Sequence, residues 1–492
     1  MKLVCKELSE DCWELILNRL AIDDFNSLQS PSLVCKQFLS ITDRLRQKLE
    51  ASNRSFYSNN CEGLFRALQR FKNLREIELC DPIFGDKADV NYPIRRIASS
   101  GLDLQSLSLR RLQKPPFPKT FKKLGSTMNN LKILRCCYLK VFRNHHLVAI
   151  ADALPWLEQL DIQLSGFRSY YQRGFDSKSA KYIVTDVGIE VISRKLRRLR
   201  KIDITGQLGC SDRSLIALSS NCELLNEIRC SYCHVSEHGI CFVLRHSQNL
   251  ISLEAGRYYS LPDDSFTFEN SMNFAQSLRD LRIDAFKDHD RLLGSISTAG
   301  IPLEKILIYD DSGLSFHGLS NFLCACPSLK HLQLVSIKFL NDNSVRELCR
   351  YLPNLVSIKL DFCSNITAAS FFILAKKCPL LSEIELQEIK LPVGEDFDME
   401  LERNYRIISL ELSHIGHLND EFLRKIGFVC PNLQSLNVTG LNRLTKEGIG
   451  DILKCCSQIK RLIVDKTREL GIFLEQFKTR HIEIEHHFIR SV

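Results

Sequence analysis

The chain has 492 residues, 44% of them hydrophobic and 25% charged, with 66 basic residues against 58 acidic. That length exceeds one ordinary globular core, the composition excludes long disordered regions, and a net charge of +8 spread over it does not argue for nucleic acid. No apolar run approaches the ~20 residues a membrane span needs. The opening Met1-Lys2-Leu3-Val4-Cys5-Lys6-Glu7 has no secretory apolar region. We therefore expect an intracellular location, in cytoplasm or nucleus, with the 20 cysteines as reduced thiols.

In the first fifty residues, Trp13, Ile16, Leu17 and Leu20 fall at i, i+3, i+4 and i+7, which predicts an amphipathic helix. Ser30-Pro31 reads as a cap followed by a first-turn proline. Val34, Phe38, Ile41, Leu45 and Leu49 then line one face of a second helix. A segment this short with this much apolar surface does not make a self-sufficient core. It must pack on its neighbour or dock with a partner.

From Leu74 onward a strand signature recurs, opening at Leu74, Leu104, Leu131, Leu157, Leu199, Leu225, Leu250 and Leu278. From Leu303 it settles into a strict 26-residue period through Leu329, Leu355, Leu381, Ile407, Leu433 and Ile459. Each unit has apolar residues three and five positions later, as in Leu355-Ile358-Leu360, and reads as a short β-strand. A loop and a helical stretch follow, often opened by a polar cap such as Thr445 or Ser236 and often closed by Cys-Pro or Leu-Pro. About fifteen such units predict a solenoid, whose long exposed surface favours binding over catalysis. The period breaks most between Leu157 and Leu199, an insertion over residues 165–184.

These residues resemble the cysteine-containing leucine-rich repeat, with Cys222, Cys326, Cys378, Cys430 and Cys456 before the strand and Cys233 and Cys363 after it. The resemblance implies an α/β fold, a horseshoe whose parallel concave sheet carries its helices outside, over residues 51–486. Residues 4–50 resemble the F-box. Leu8-Ser9-Glu10-Asp11-Cys12-Trp13-Glu14-Leu15-Ile16-Leu17 is similar to that motif's opening, with Ser9 in place of the usual proline, and Leu33-Val34-Cys35-Lys36-Gln37-Phe38 is similar to its later stretch. The order of the two parts resembles plant F-box/LRR proteins. It implies a non-catalytic substrate receptor of a Skp–cullin–F-box ubiquitin ligase, a subunit that promotes transfer by proximity. Leu8, Trp13, Ile16, Leu17, Leu20, Val34, Lys36 and Phe38 would be the contacts to the Skp-type adaptor or their immediate supports, and the adaptor would bridge to a cullin.

The target would be a protein on the concave face. Strand side chains alternate, so the middle residue of each strand forms a column that includes Arg229, Glu254, Arg282, Lys359, Glu385 and Glu411. Glu383, Glu385 and Glu411 suggest an acidic patch for a basic segment, with Arg282, Lys305 and Lys359 as a basic neighbourhood. The 165–184 insertion, with Tyr170 and Tyr171, is a second candidate contact, because loops carry function. No cofactor is expected. Cys230-x-x-Cys233-His234 matches a haem-attachment pattern, but the repeat register accounts for both cysteines, and no paired zinc spacing occurs. The basic run 194–201 reads as a solvated edge, with nuclear import as the alternative. Rival readings are a small-molecule co-receptor of the auxin-receptor type and a repeat scaffold outside any ligase.

Overall fold

The computed structural model describes residues 8–23, 28–51, 54–80, 90–112, 114–139, 141–164, 184–256, 271–284, 288–309, 313–389, 401–415, 418–441, 443–465, 473 and 482–487. The chain divides into two compact units near residue 250. The first opens with three helices, α1 (Glu10–Asp23), α2 (Gln29–Ser32) and α3 (Lys36–Leu45). They enclose a small core of Leu17, Ala21, Leu28, Phe38 and Ile41, with Trp13, Cys35 and Leu45 against it.

Two expectations for this segment change. Ser30 and Pro31 sit inside the separate short helix α2, and α3 starts only at Lys36, where the Cys35 Sγ accepts from the Phe38 N–H. Leu49 is not helical. It lies on the strand Lys48–Ala51, which pairs in parallel with Glu76–Cys80. The alternation of buried and exposed residues through Lys48-Leu49-Glu50-Ala51 is a strand period, and backbone N–H groups of Arg75 and Glu76 both donate to Gln47 O.

Beyond α3, each unit repeats strand then helix. The first unit has seven strands among the described residues, in register down the column Glu50, Glu78, Ser108, Arg135, Asp161, Asp203 and Arg229. The second has ten, in register from Glu254 through Arg282, Leu307, Gln333, Lys359, Glu385, Glu411, Asn437 and Ile463 to Glu485. All pairings are parallel, as the helical crossovers require. Buried and half-exposed residues alternate along strands such as Glu76–Cys80 and Lys305–Tyr309. The buried set forms the core with the helices, and the other set forms an open face.

Two devices fix successive repeats to each other. Just past the strands the backbone turns left-handed at Ser336, Phe362, Glu388, His414 and Gly440, one repeat apart each time. Gly440 is glycine because a Cβ there would lie 2.9 Å from His414 Nδ1 and 3.0 Å from His414 backbone atoms. At the helix starts, a carboxylate of one repeat caps the next. Asp420 accepts from the Thr445 N–H at 2.9 Å and its hydroxyl at 2.6 Å, and Asp342 does the same for Thr367 at 3.0 and 2.7 Å.

The repeat cysteines are packing residues. Cys222, Cys326, Cys378, Cys430 and Cys456 each close a helix at its C-cap and are buried. Cys233 Sγ donates to Ile204 O at 3.1 Å across the repeat boundary. Cys230 is likewise fully buried, which is the packing role the repeat register assigned to both halves of the haem-like pattern.

Candidate functional site

Two surfaces stand out: one on the leading helices, one on the open strand faces. On the leading helices, Trp13 packs tilted against Phe38 with ring centroids 4.7 Å apart, while Leu17 and Phe38 are buried. Leu17 and Phe38 are therefore inside the helical core, with Trp13 partly buried against it. Of the other sequence-predicted residues, Leu8, Ile16, Leu20, Val34 and Lys36 face solvent.

The most exposed apolar side chains here were not singled out by periodicity: Leu15 at 71% and Leu33 at 83%. Leu15 lies off the i, i+3, i+4 stripe, so a leucine on the side of α1 away from its core was the available signal. Leu8, Leu15, Ile16, Leu20, Leu33 and Val34 together leave a run of large apolar groups uncovered. Soluble monomers seldom expose such groups in concentration unless something docks there. Arg44 ties α3 to α1 through Glu10 (2.6 Å) and Glu14 (2.9 Å). Arg70 ties the following helix to Asp43 at 2.7 Å, and Asn73 donates to Arg44 O at 2.8 Å. These polar contacts hold the leading helices together and on the first repeat.

On the open face of the first unit, Arg135, Asp161, Lys201, Asp203, Glu227 and Arg229 line a depression of about 230 Å³. Its charges largely cancel. Glu227 takes both Lys201 (2.9 Å) and Arg229 (2.8 Å). Burial pushes the Asp203 carboxyl up to about 6, helped by the neighbouring Asp161.

On the open face of the second unit, Arg282 and Lys359 of the expected basic neighbourhood are each paired with carboxylates. Arg282 is held by Glu254 at 3.6 Å and Asp280 at 3.4 Å. Lys359 sits inside the acidic group, bridging Asp361 Oδ2 at 3.3 Å and Glu385 Oε1. Gln387 Nε2 donates to Glu385 and, at 3.2 Å, to Glu411. Glu385 and Glu411 are register partners on adjacent strands. Glu383 is exposed one row away, level with Ser357 and Ser409. Asp361, at the end of its strand and outside the middle column, is the acidic residue the column argument missed. Burial pushes its carboxyl up to about 6, and burial with the adjacent Glu385 raises that of Glu411. Tyr170, Tyr171 and nearly all of the 165–184 insertion lie outside the described residues.

In-register parallel strands one repeat apart, capped helices and buried repeat cysteines define a leucine-rich-repeat solenoid with a helical leader. No family model matches the chain. It is similar to F-box protein MAX2 homolog A of Petunia hybrida, 26% identical over 187 residues, which cover 32% of this chain and 26% of that one. It is also similar to F-box/LRR-repeat protein 4 of Bos taurus, 26% identical over 154 residues, 30% of this chain and 24% of that one. The chain thus spans about a quarter of the length of these curated relatives. Among solved structures, it resembles a chain of the yeast Rad7 and Elc1 complex (TM-score 0.44, 16% identity, 90% of this chain and 96% of that one). It also resembles one of the TLR13–ssRNA13 complex (TM-score 0.46, 15% identity, 81% and 54%). Among the described residues, no helix is long and apolar enough to cross a membrane.

Proposed function

We propose that this chain is the substrate-receptor subunit of a Skp–cullin–F-box ubiquitin ligase. The leading helices dock the Skp-type adaptor, and the adaptor bridges to a cullin. The open strand faces hold a protein target. The chain supplies no catalytic group. It accelerates transfer by holding a target lysine near the activated ubiquitin, which removes translational and rotational entropy from the barrier.

The observation that carries this reading is the exposed apolar set Leu8, Leu15, Ile16, Leu20, Leu33 and Val34 on and between helices whose own core is already filled by Leu17, Phe38 and Ile41, with Trp13 packed against it. A mere end cap for the solenoid would turn a polar face outward. The partial similarity to two F-box proteins points the same way.

The test is capture of a purified Skp adaptor by the full chain and by Leu15→Asp/Leu33→Asp. Both residues face solvent, so the variant keeps its fold and loses the adaptor. Equal capture by the variant, or no capture by the natural chain, leaves the chain as a repeat scaffold outside any ligase.

A further inference from the structure

On the second unit's open face, carboxylates gather in excess of the cations among the described residues. Asp361, Glu385 and Glu411 gather around Lys359, with Glu383 one row away. Lys359 covers Asp361 Oδ2 and Glu385. Glu411 has amide donors, Gln387 at 3.2 Å and Asn437, and meets Lys359 and Arg461 only through space. Arg461 is itself paired with Glu485 at 2.8 Å. Asp361 is 6% exposed; Lys359 meets its Oδ2 and the Gln333 amide stands beside the carboxylate, while its Oδ1 completes no hydrogen bond. Three carboxylates gathered around Lys359 keep negative charge that its one ammonium does not offset, and a second cation would offset it. Adjacent strands lie ~4.8 Å apart, so the register partners Glu385 and Glu411 can be spanned by one planar guanidinium or met by one ammonium. Beside them Phe362 turns a ring outward, 50% exposed.

We propose that Asp361, Glu385 and Glu411 anchor an arginine or lysine side chain of an extended basic protein segment, with Phe362 flanking it. This rests on reading the open face as the target-holding surface and names the chemistry of the target. The incoming cation competes with Lys359 for the same carboxylates. Lys359, whose side chain is 28% exposed, can release its ammonium to water at small cost, because its long stem is flexible.

The experiment uses the full chain and fluorescein-labelled peptides of alternating arginine and alanine, or lysine and alanine, followed by anisotropy. The cationic peptides should bind and a glutamate–alanine peptide should not. Glu385→Gln/Glu411→Gln should weaken binding at least tenfold, while Glu421→Gln/Glu447→Gln, on exposed helix starts, should stay within twofold. Lys359→Met removes the competitor and should tighten binding at least threefold, a gain that damage to the fold does not produce. Equal binding by the natural chain and the Glu385/Glu411 variant overturns the proposal, as does an equal loss in the helix-start control, or weaker binding by Lys359→Met. The assay contains no adaptor. Loss of adaptor capture with intact peptide binding therefore counts against the ligase reading alone, and the reverse result against this one alone.

Discussion

Asp420 occupies the space that a side chain at Gly448 would need: a Cβ on Gly448 would stand 2.1 Å from Asp420 Oδ1. That carboxylate caps the helix of the next repeat through Thr445, so the glycine is the room left for an inter-repeat bond. The same pairing recurs between Asp212 and Gly239 and between Asp290 and Gly318, at 2.4 and 1.9 Å. Where the helix carries serine at that position, the hydroxyl joins the bond instead: Ser214 Oγ donates to Asp186 at 2.6 Å and Ser370 Oγ to Asp342 at 2.5 Å.

Gly448→Ala should therefore destabilise the chain by about 1–3 kcal/mol, through the displaced carboxylate and its lost cap. Alanine for glycine inside a helix ordinarily stabilises by ~1 kcal/mol, so the sign identifies the cause. Added to Asp420→Ala, the same change should be neutral or better. Urea midpoints of the two single variants and the double variant measure this, and a stabilised Gly448→Ala alone contradicts it.

On the leading helices, packing and exposure assign opposite outcomes to neighbouring residues. Leu17→Ala should cost about 2–5 kcal/mol by leaving a cavity in the small core, and Trp13→Ala about 1–3 kcal/mol, because Trp13 is only partly buried against it. Leu15→Ala should stay within about 0.5 kcal/mol. Thermal melts of the three variants and the natural chain, followed by far-ultraviolet circular dichroism, distinguish them. A Leu15 variant as damaging as Leu17→Ala would mean that α1 packs differently.

Asp203 gives a pH dependence. Its folded carboxyl is raised to about 6 by burial, with Asp161 beside it, against ~3.9 when unfolded. The folded state then holds the proton more tightly, so its contribution is present below the unfolded value and is lost as pH rises from about 4 through 6. Asp203→Asn retains an acceptor for the Thr205 N–H, 2.9 Å away in the natural chain, and carries no charge. It should be more stable than the natural chain above pH 6, by at most ~3 kcal/mol, with the difference fading towards pH 4. Melting midpoints across pH 4–8 report this, and parallel curves would contradict it.

The thiols divide by burial. Cys12, Cys324 and Cys455 are exposed, whereas Cys136, Cys210, Cys222, Cys233, Cys326, Cys363, Cys430 and Cys456 are buried. Burial pushes the Cys210 thiol up to about 12 and those of Cys222 and Cys326 up to about 11, and only the thiolate is nucleophilic. Iodoacetamide on the native chain should label the first three within minutes and the buried set only on unfolding, as read by peptide mass spectrometry. Fast labelling of Cys222 or Cys326 would contradict this.

Much of this was legible in the chain itself. An unbroken period sets each strand one repeat from the next, so Leu355, Leu381 and Leu433 return to the same depth and the column from Lys359 to Glu411 follows from strand alternation alone. Asp361 escaped because a single column ignores the strand's end, and Leu15 and Leu33 escaped because periodicity looks for the face that is buried.

What the sequence determined by itself is the repeat: its strands, its helix caps, its buried cysteines and the order of open-face residues, all local patterns enforced by one hydrogen-bonding geometry. Only the tertiary structure decided that Leu49 leaves the helices for the sheet, that Trp13 turns in while Leu15 turns out, and that Lys359 sits among Asp361 and Glu385. Those outcomes depend on which surfaces meet and on where a long flexible cation finds its carboxylates, and neither is encoded in spacing along the chain.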